Sequence, residues 1–329
     1  MRSVEREGAA AEVTVEVGGE GRPAVSYEAM TGPVEAGDEV VVNVAALDLG
    51  LGSGGFDVVH VNLTRGLEGP GVPGAHVMKL NYSSLQHAVE PLEERAPALE
   101  WPLGGPVAVL ALHGQLACMA WAAAQRTSGA RIGYVQTHGG ALPGMFSRVV
   151  GDLLERGLLA GHVTAAPAFG GEHEAITVAG AIHGGLTLLG WDAVIAGPGP
   201  GIIGSASALG HGGLAALDSL HAAASLGCPA VAVPRMSEGD PRERHRGLSH
   251  HTRTVLDLCL AEVTVALPEG EDPGLVAPHA ARQAPADIDA YLESGLPART
   301  MGREVADDAL FFRAALAGGA VLGEQLDGV

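Results

Sequence analysis

The residues 241–254, PRERHRGLSHHTRT, gather Arg242, Arg244, Arg246 and Arg253 with His245, His250 and His251 in a chain of 19 basic and 38 acidic residues. Guanidinium groups fork onto phosphate or carboxylate, so this run predicts a site for a small anion held chiefly by Arg242, Arg244 and Arg246. Ser249 sits where it would cap a following helix, whose free N–H groups and positive end add to the attraction. The competing reading is a solvated loop in which Glu238, Asp240 and Glu243 neutralise the arginines, as charge runs usually do. His250 and His251 are adjacent, about 100° apart on a helix, so one of them is expected to be structural.

A second stretch, GPGIIG at 199–204, would bring backbone N–H groups of Gly199, Gly201 and Gly204, with Ser205, to a phosphate or carboxylate. It also matches G-x-G-x-x-G, the dinucleotide fingerprint. The next strand ends at Arg235, which would suit a 2′-phosphate and so an NADP-linked reductase. The motif belongs to the fourth strand of its series, not the first, and a phosphate-cradling loop is the preferred reading.

His113, His138 and His250 are the candidate acid–base residues, because an imidazole titrates near neutral pH. Gly139, Gly140, Gly170 and Gly171 follow predicted strands and are expected beside the ligand. His113, His138 and His173 with Glu172 and Glu174 have the donor chemistry for a divalent metal, although no fixed ligand spacing supports one. Lys79, the single lysine, would be a nucleophile if desolvated; the commoner outcome is an amine that reaches solvent. Ser205 and Ser207 lack the G-x-S-x-G elbow of serine hydrolases.

These residues need elements to position them. Apolar runs at 107–112, 131–136, 162–167, 192–197, 229–234 and 262–267 read as buried strands. Between them, 115–127, 144–157, 173–189, 206–226 and 249–260 have helical length, and another helix is predicted over 303–319. Strands alternating with helices imply an α/β fold, a Rossmann-like, mostly parallel sheet with helices on both faces. Ligands of such sheets bind at the carboxyl ends of the strands, near a topological switch point. Each site residue above follows a predicted strand. The first 65 residues differ: short valine-rich runs broken by GGEG, GPVEAGD and GLGSGG predict a small all-β, barrel-like domain over 1–67. A linker is expected over 68–75. Residues 76–329 then form the Rossmann-like domain, opening with a strand and a short helix from Ser84.

Composition bounds the partners. The 329 residues are 47% hydrophobic, ample for a core, and the formal charge of -19 argues against nucleic acid or an anionic membrane. Cys118, Cys228 and Cys259 stand far apart, without a disulfide or thiolate-zinc pattern. The N-terminus lacks a signal-peptide segment and no run suits a membrane span, so a cytoplasmic location is expected. A homodimer is expected only on the general frequency of two-fold assemblies.

The blocks VMKLNYSSLQHAVEPLEE, GGALPGMFSR, AFGGEHEAITV, GPGPGIIGSAS and DPRERHRGLSHHT together resemble an uncharacterised bacterial family, domain of unknown function 3866. The resemblance runs from the β-rich start to at least Leu267. It implies a compact protein in which the five blocks act together, and it brings no activity, substrate or catalytic residue with it. From the residues, the preferred reading is a hydrolase or group transferase acting on a small anionic metabolite. The alternatives are a non-catalytic metabolite sensor or assembly protein and, behind both, the NADP-linked oxidoreductase.

Overall fold

The computed structural model describes residues 1–7, 10–51, 54–66 and 72–327, which form two compact units, Met1–Glu90 and Pro91–Val329. In the first, β1 (Ser3–Glu7), β2 (Ala10–Val17), β3 (Glu20–Ser26), the helical turn α1 (Glu28–Thr31), β4 (Val40–Asn43), the turn α2 (Ala45–Asp48) and β5 (Asp57–Asn62) follow one another. Alternation in β2 puts Ala11, Val13 and Val15 inside and Glu12 and Glu16 outside, against Ala24 and Val59. Gly18 and Gly19, both at positive φ, make the two-residue turn that pairs Val17 with Glu20, a geometry that favours glycine. The sheet order is β1-β2-β3-β5-β4, open, with β1 and β4 at its ends.

Where a helix from Ser84 was expected, a hairpin forms instead: β6 (Val77–Lys79) pairs antiparallel with β7 (His87–Val89). Leu80 and Tyr82 adopt positive φ in its connection, which a helix would not allow. This hairpin belongs to the first compact unit, which runs over Met1–Glu90. Of the expected linker, 68–71 lie outside the described residues. Lys79, expected to reach solvent, is buried.

The second unit is built on β8 (Val107–Leu110), α3 (Leu116–Arg126), β9 (Ile132–Thr137), α4 (Arg148–Glu155), β10 (Gly161–Ala165), β11 (His173–Ala175), α5 (Val178–Thr187), β12 (Ala193–Pro198), α6 (Ala215–Ser225) and β13 (Ala230–Val233). A short antiparallel ribbon follows, β14 (Met236–Ser237) with β15 (Gly247–Leu248), then α7 (His250–Leu258), β16 (Thr264–Pro268), β17 (Ala280–Ala284) and α8 (Ile288–Glu293). A second ribbon, β18 (Arg299–Thr300) with β19 (Arg303–Glu304), precedes α9 (Ala309–Leu326). Eight strands pair in parallel in the order β11-β10-β9-β12-β8-β13-β16-β17.

Successive strand residues face opposite cores. Ala108, Leu110, Ile195 and Val233 pack with α3 and α9, whereas Val107, Val109, Val194 and Ala232 pack with α5, α6 and α7. The result is the Rossmann-like α/β fold: one parallel sheet between two helical layers. Glycine admits closer approach on both faces. A Cβ on Gly133 would lie 1.9 Å from the Trp191 ring, and one on Gly319 would lie 2.2 Å from the Met119 carbonyl oxygen, where α9 crosses α3. Among the described residues no helix is long and apolar enough to cross a membrane.

Two expected helices are shorter than their sequence patterns. The 173–189 segment begins with edge strand β11, and of 206–226 only 215–225 is α-helical. The C-terminal helix runs over Ala309–Leu326, displaced from 303–319 because β19 occupies its expected start. The strand order creates the switch point. From β8 the chain crosses through α3 toward β9, and from neighbouring β13 it leaves through α7 toward β16, so the loops at their carboxyl ends diverge and open a crevice.

Candidate functional site

A cleft of about 630 Å³ occupies that crevice. Leu112, His113 and Gly114 after β8 line it, with Gly199, Pro200, Gly201, Ile202, Gly204 and Ser205 after β12. The loop after β13 adds Arg235, Arg242, Arg244, His245 and His251, and the β18–β19 ribbon adds Arg299, Thr300, Met301 and Arg303. The glycine loop therefore shares one cavity with Arg242 and Arg244, whereas Arg246 and His250, also expected at the site, lie outside its lining. The N–H groups of Gly201, Ile202 and Gly204 make no hydrogen bond among the described residues.

Asp240, fully buried, organises the arginines. Its carboxylate accepts from Arg235 Nη2 at 2.8 Å and from Arg242 Nε and Nη2, both at 2.9 Å, while Arg303 Nη2 stands 3.6 Å away. Burial alone would raise the Asp240 pKa, but Arg242 and Arg235 hold it well below the usual carboxylate range. Arg235 pays the counterpart: burial lowers its guanidinium to about 10 despite Asp240. Asp308 accepts from Arg303 Nε at 2.9 Å, from Ser237 Oγ at 2.7 Å and from the N–H groups of Glu238 and Gly239. Arg246 donates to the Asp240 carbonyl oxygen. Neutralisation by Asp240 thus holds for part of the run, but Glu238 binds the Leu310 N–H, and Arg244 and Glu243 form no ion pair among the described residues. Arg244 is exposed on the cleft wall.

Four imidazoles stand beside these arginines. His245 comes from the helical turn Glu243–His245, His250 and His251 open α7, and His211 precedes the turn Gly212–Leu214. His251 stacks on His211 with ring centres 3.9 Å apart, and lies 4.8 Å from His245 and 4.4 Å from His250. Nitrogens of His245, His250 and His251 all lie within 4.8 Å of one another. Adjacent His250 and His251 were expected to diverge; the ring of His245 reaches the helix start and meets both. Burial, reinforced for His251 by His211 and for His245 by Arg235, pushes these two imidazoles down to about 2 and about 3. Burial and then Arg244 lower His250 as well. Burial likewise lowers His211, so the neutral form, with its lone pair, is favoured in each ring. Ser249 caps α7 as expected, its Oγ accepting from the His251 N–H at 3.2 Å, and it also bonds His245 Nδ1 at 2.7 Å. Being fully buried, Ser249 positions this cluster and does not line the cleft.

The other expected residues take separate places. His113 borders the cleft but turns inward: its Nε2 meets Ser147 Oγ at 2.8 Å and its Nδ1 meets Tyr134 Oη at 3.3 Å. Tyr134 donates onward to the carbonyls of Gly197 and Pro198, and burial pushes His113 down to about 4. His138 lies outside the cleft lining, its Nε2 3.3 Å from Asp218. Gly139 and Gly140 are packing residues; a Cβ on either would lie under 2.5 Å from the carbonyl oxygen of Gly212 or Gly199. Gly170 and Gly171 sit by edge strand β11, outside the lining, against Met145 and Thr164. The five-residue metal set does not assemble as one group among the described residues. Glu172 instead accepts from the His162 N–H, and Glu174 from Thr164 Oγ1 and the Gly170 N–H.

The glycine motif also departs from a dinucleotide fingerprint. Its third glycine opens no helix: Gly204 bridges His211, and α6 begins only at Ala215. His211, Arg299, Arg303 and the central role of Asp240 escaped sequence reading. They carry no shared spacing, and only Asp240, inside the basic run, had a local signal.

The family model for a protein of unknown function, DUF3866, matches residues 23–319. The chain belongs to the DUF3866 family. The match spans both units and all five resembling blocks, and it runs on past Leu267 through most of α9. Searches of curated proteins and of solved structures return no match for this DUF3866 protein.

Proposed function

We propose that this DUF3866 protein binds a small anionic, phosphate-bearing metabolite in the cleft at the carboxyl ends of β8, β12 and β13, and acts on it as a cytoplasmic hydrolase or group transferase. Arg244 carries the reading. It lines the cleft with no carboxylate partner among the described residues, beside Arg235, Arg242 and Arg303, which buried Asp240 holds in place. A charge left unpaired next to pre-oriented guanidinium groups and free backbone N–H groups suits an anion with several acceptor oxygens. His245 and His251 on the same wall favour an enzyme over a sensor, since simple retention of an anion does not call for imidazoles. Three free cysteines accord with a reducing compartment.

Thermal unfolding with inorganic phosphate, pyrophosphate and phosphorylated metabolites tests the anion site. A ligand at about 100 times its Kd stabilises by about 2.7 kcal/mol. The shift is expected in the wild type and lost in Arg244→Ala; equal shifts in both proteins, or none in either, refute the site. With a stabilising compound in hand, its conversion by the wild type is followed directly, and turnover is expected. A compound that is bound and never converted would make the protein a sensor.

A further inference from the structure

We infer that His245, His250 and His251 form a binding site for a single divalent transition-metal ion of the zinc type, with its open coordination position toward the cleft. The first observation is convergence: one nitrogen from each ring lies within 4.8 Å of the other two. Three nitrogens bound to zinc at about 2.0–2.1 Å stand roughly 3.4 Å apart, so modest side-chain rotation closes the set. The second is that two of the three rings offer buried nitrogens without partners. Both ring nitrogens of His251 and Nε2 of His250 make no hydrogen bond among the described residues, and His251 is 5% exposed. Buried polar atoms are nearly always satisfied, so orphaned imidazole nitrogens gathered this closely point to a missing cation.

The surroundings fit such an ion. Ser249 Oγ fixes the Nδ1 side of His245, which leaves Nε2 as the donor, the outer-shell arrangement that orients metal-ligating histidines. His211 stacks on His251 and acts as a positioning residue. Gly204 lets the glycine loop approach that ring, since a Cβ there would lie 3.1 Å from His251 Cε1. Imidazole donors without carboxylates select zinc-like ions over magnesium or calcium. Three protein ligands leave a fourth position, and His245 and His251 both line the cleft.

Arg235, Arg242 and Arg244 line the same cleft as His245 and His251, so their charges oppose a bare cation. An anion held between the arginines and the metal relieves that repulsion, and each ligand then strengthens the other. This coupling rests on the anion reading above; the three-histidine site does not.

The test is titration of Co2+ into chelator-treated full-length protein, followed by its visible absorption, with and without inorganic phosphate. One ion per chain with the intense bands of tetrahedral cobalt is expected, bound roughly 10-fold more tightly with phosphate. His251→Gln and the partly exposed His250→Gln are each expected to weaken Co2+ by about 100-fold or more, since outer-shell changes alone cost about 10–100-fold. The His250 variant keeps the test valid if the His251 variant does not fold. No saturable Co2+ binding in either condition, or binding unchanged in the histidine variants, overturns the site. If Co2+ fails while phosphate still stabilises the protein, only the metal inference falls. If Co2+ binds and phosphate has no effect, the metal site stands and the anion reading falls. Arg244→Ala is expected to retain Co2+ and lose the phosphate enhancement.

Discussion

Acid should destabilise the second unit well before its carboxylates protonate. His113, His162, His245 and His251 are 8%, 3%, 1% and 5% exposed. Burial pushes their imidazoles down to about 4, 3, 3 and 2 from the ordinary 6.5. In the unfolded chain each regains a proton as pH falls through about 6.5, while the folded form stays neutral. The unfolded state then binds more protons, so stability is complete above the unfolded value and declines below it. At about pH 6 each histidine favours unfolding by somewhat under about 1 kcal/mol, and the four together by about 3 kcal/mol. At about pH 5 the total reaches about 8 kcal/mol, comparable with the whole stability of many domains. Asp240 is held low by its arginines and Asp308 by its hydrogen bonds, so neither contributes in this window. Urea unfolding of chelator-treated protein at constant ionic strength reads the effect. Trp101, Trp121 and Trp191, the only tryptophans, all lie in the second unit, so their fluorescence reports it alone. A loss of about 3 kcal/mol from about pH 8 to about pH 6 is expected, reduced by roughly a quarter in His162→Gln. Stability that is flat or rising toward about pH 6 would mean that these imidazoles charge freely in the folded state, and the reasoning would fail.

Two substitutions probe the scaffold in the same assay. Asp240→Ala leaves Arg235, with a side chain only 3% exposed, facing Arg242 and Arg303 without a counter-charge. A loss of about 3–5 kcal/mol is expected, together with the phosphate-induced thermal shift; a near-neutral result would show that solvent already screens the cluster. Gly319→Ala drives a methyl group against the Met119 carbonyl of α3 and is expected to cost about 1–3 kcal/mol. Since α9 packs there away from the cleft lining, phosphate affinity of the folded variant should be unchanged, and a change measured by calorimetry would link that helix pair to the site.

The strands legible in the sequence were those covered on both faces. VAVL in β8, AVIAGP in β12 and AVAV in β13 are continuous apolar runs because helices bury each of their sides. Edge strand β17, AARQA, is half exposed and carries no such run, and three-residue β11 was absorbed into a predicted helix. The segment after GPGIIG has helical composition, yet the Gly204–His211 bridge holds its first part in an excursion along the cleft. Local density alone marked Arg242, Arg244 and His250 and placed Ser249 as a cap, because these depend on neighbours within one turn of chain. Fold class, the six strands of the apolar runs and the local gathering of basic residues were thus legible in the sequence by itself, whereas β11 and β17 of the eight-stranded sheet were not. Which residues meet was decided only by the tertiary structure: strand order sets β12, β8 and β13 side by side, bringing Gly201, His113 and Arg244 to one cleft. Asp240 turns from a surface neutraliser into a buried hub because Arg235 and Arg303 converge on it from separate loops. His211 reaches His251 from forty residues away through packing that no local spacing encodes.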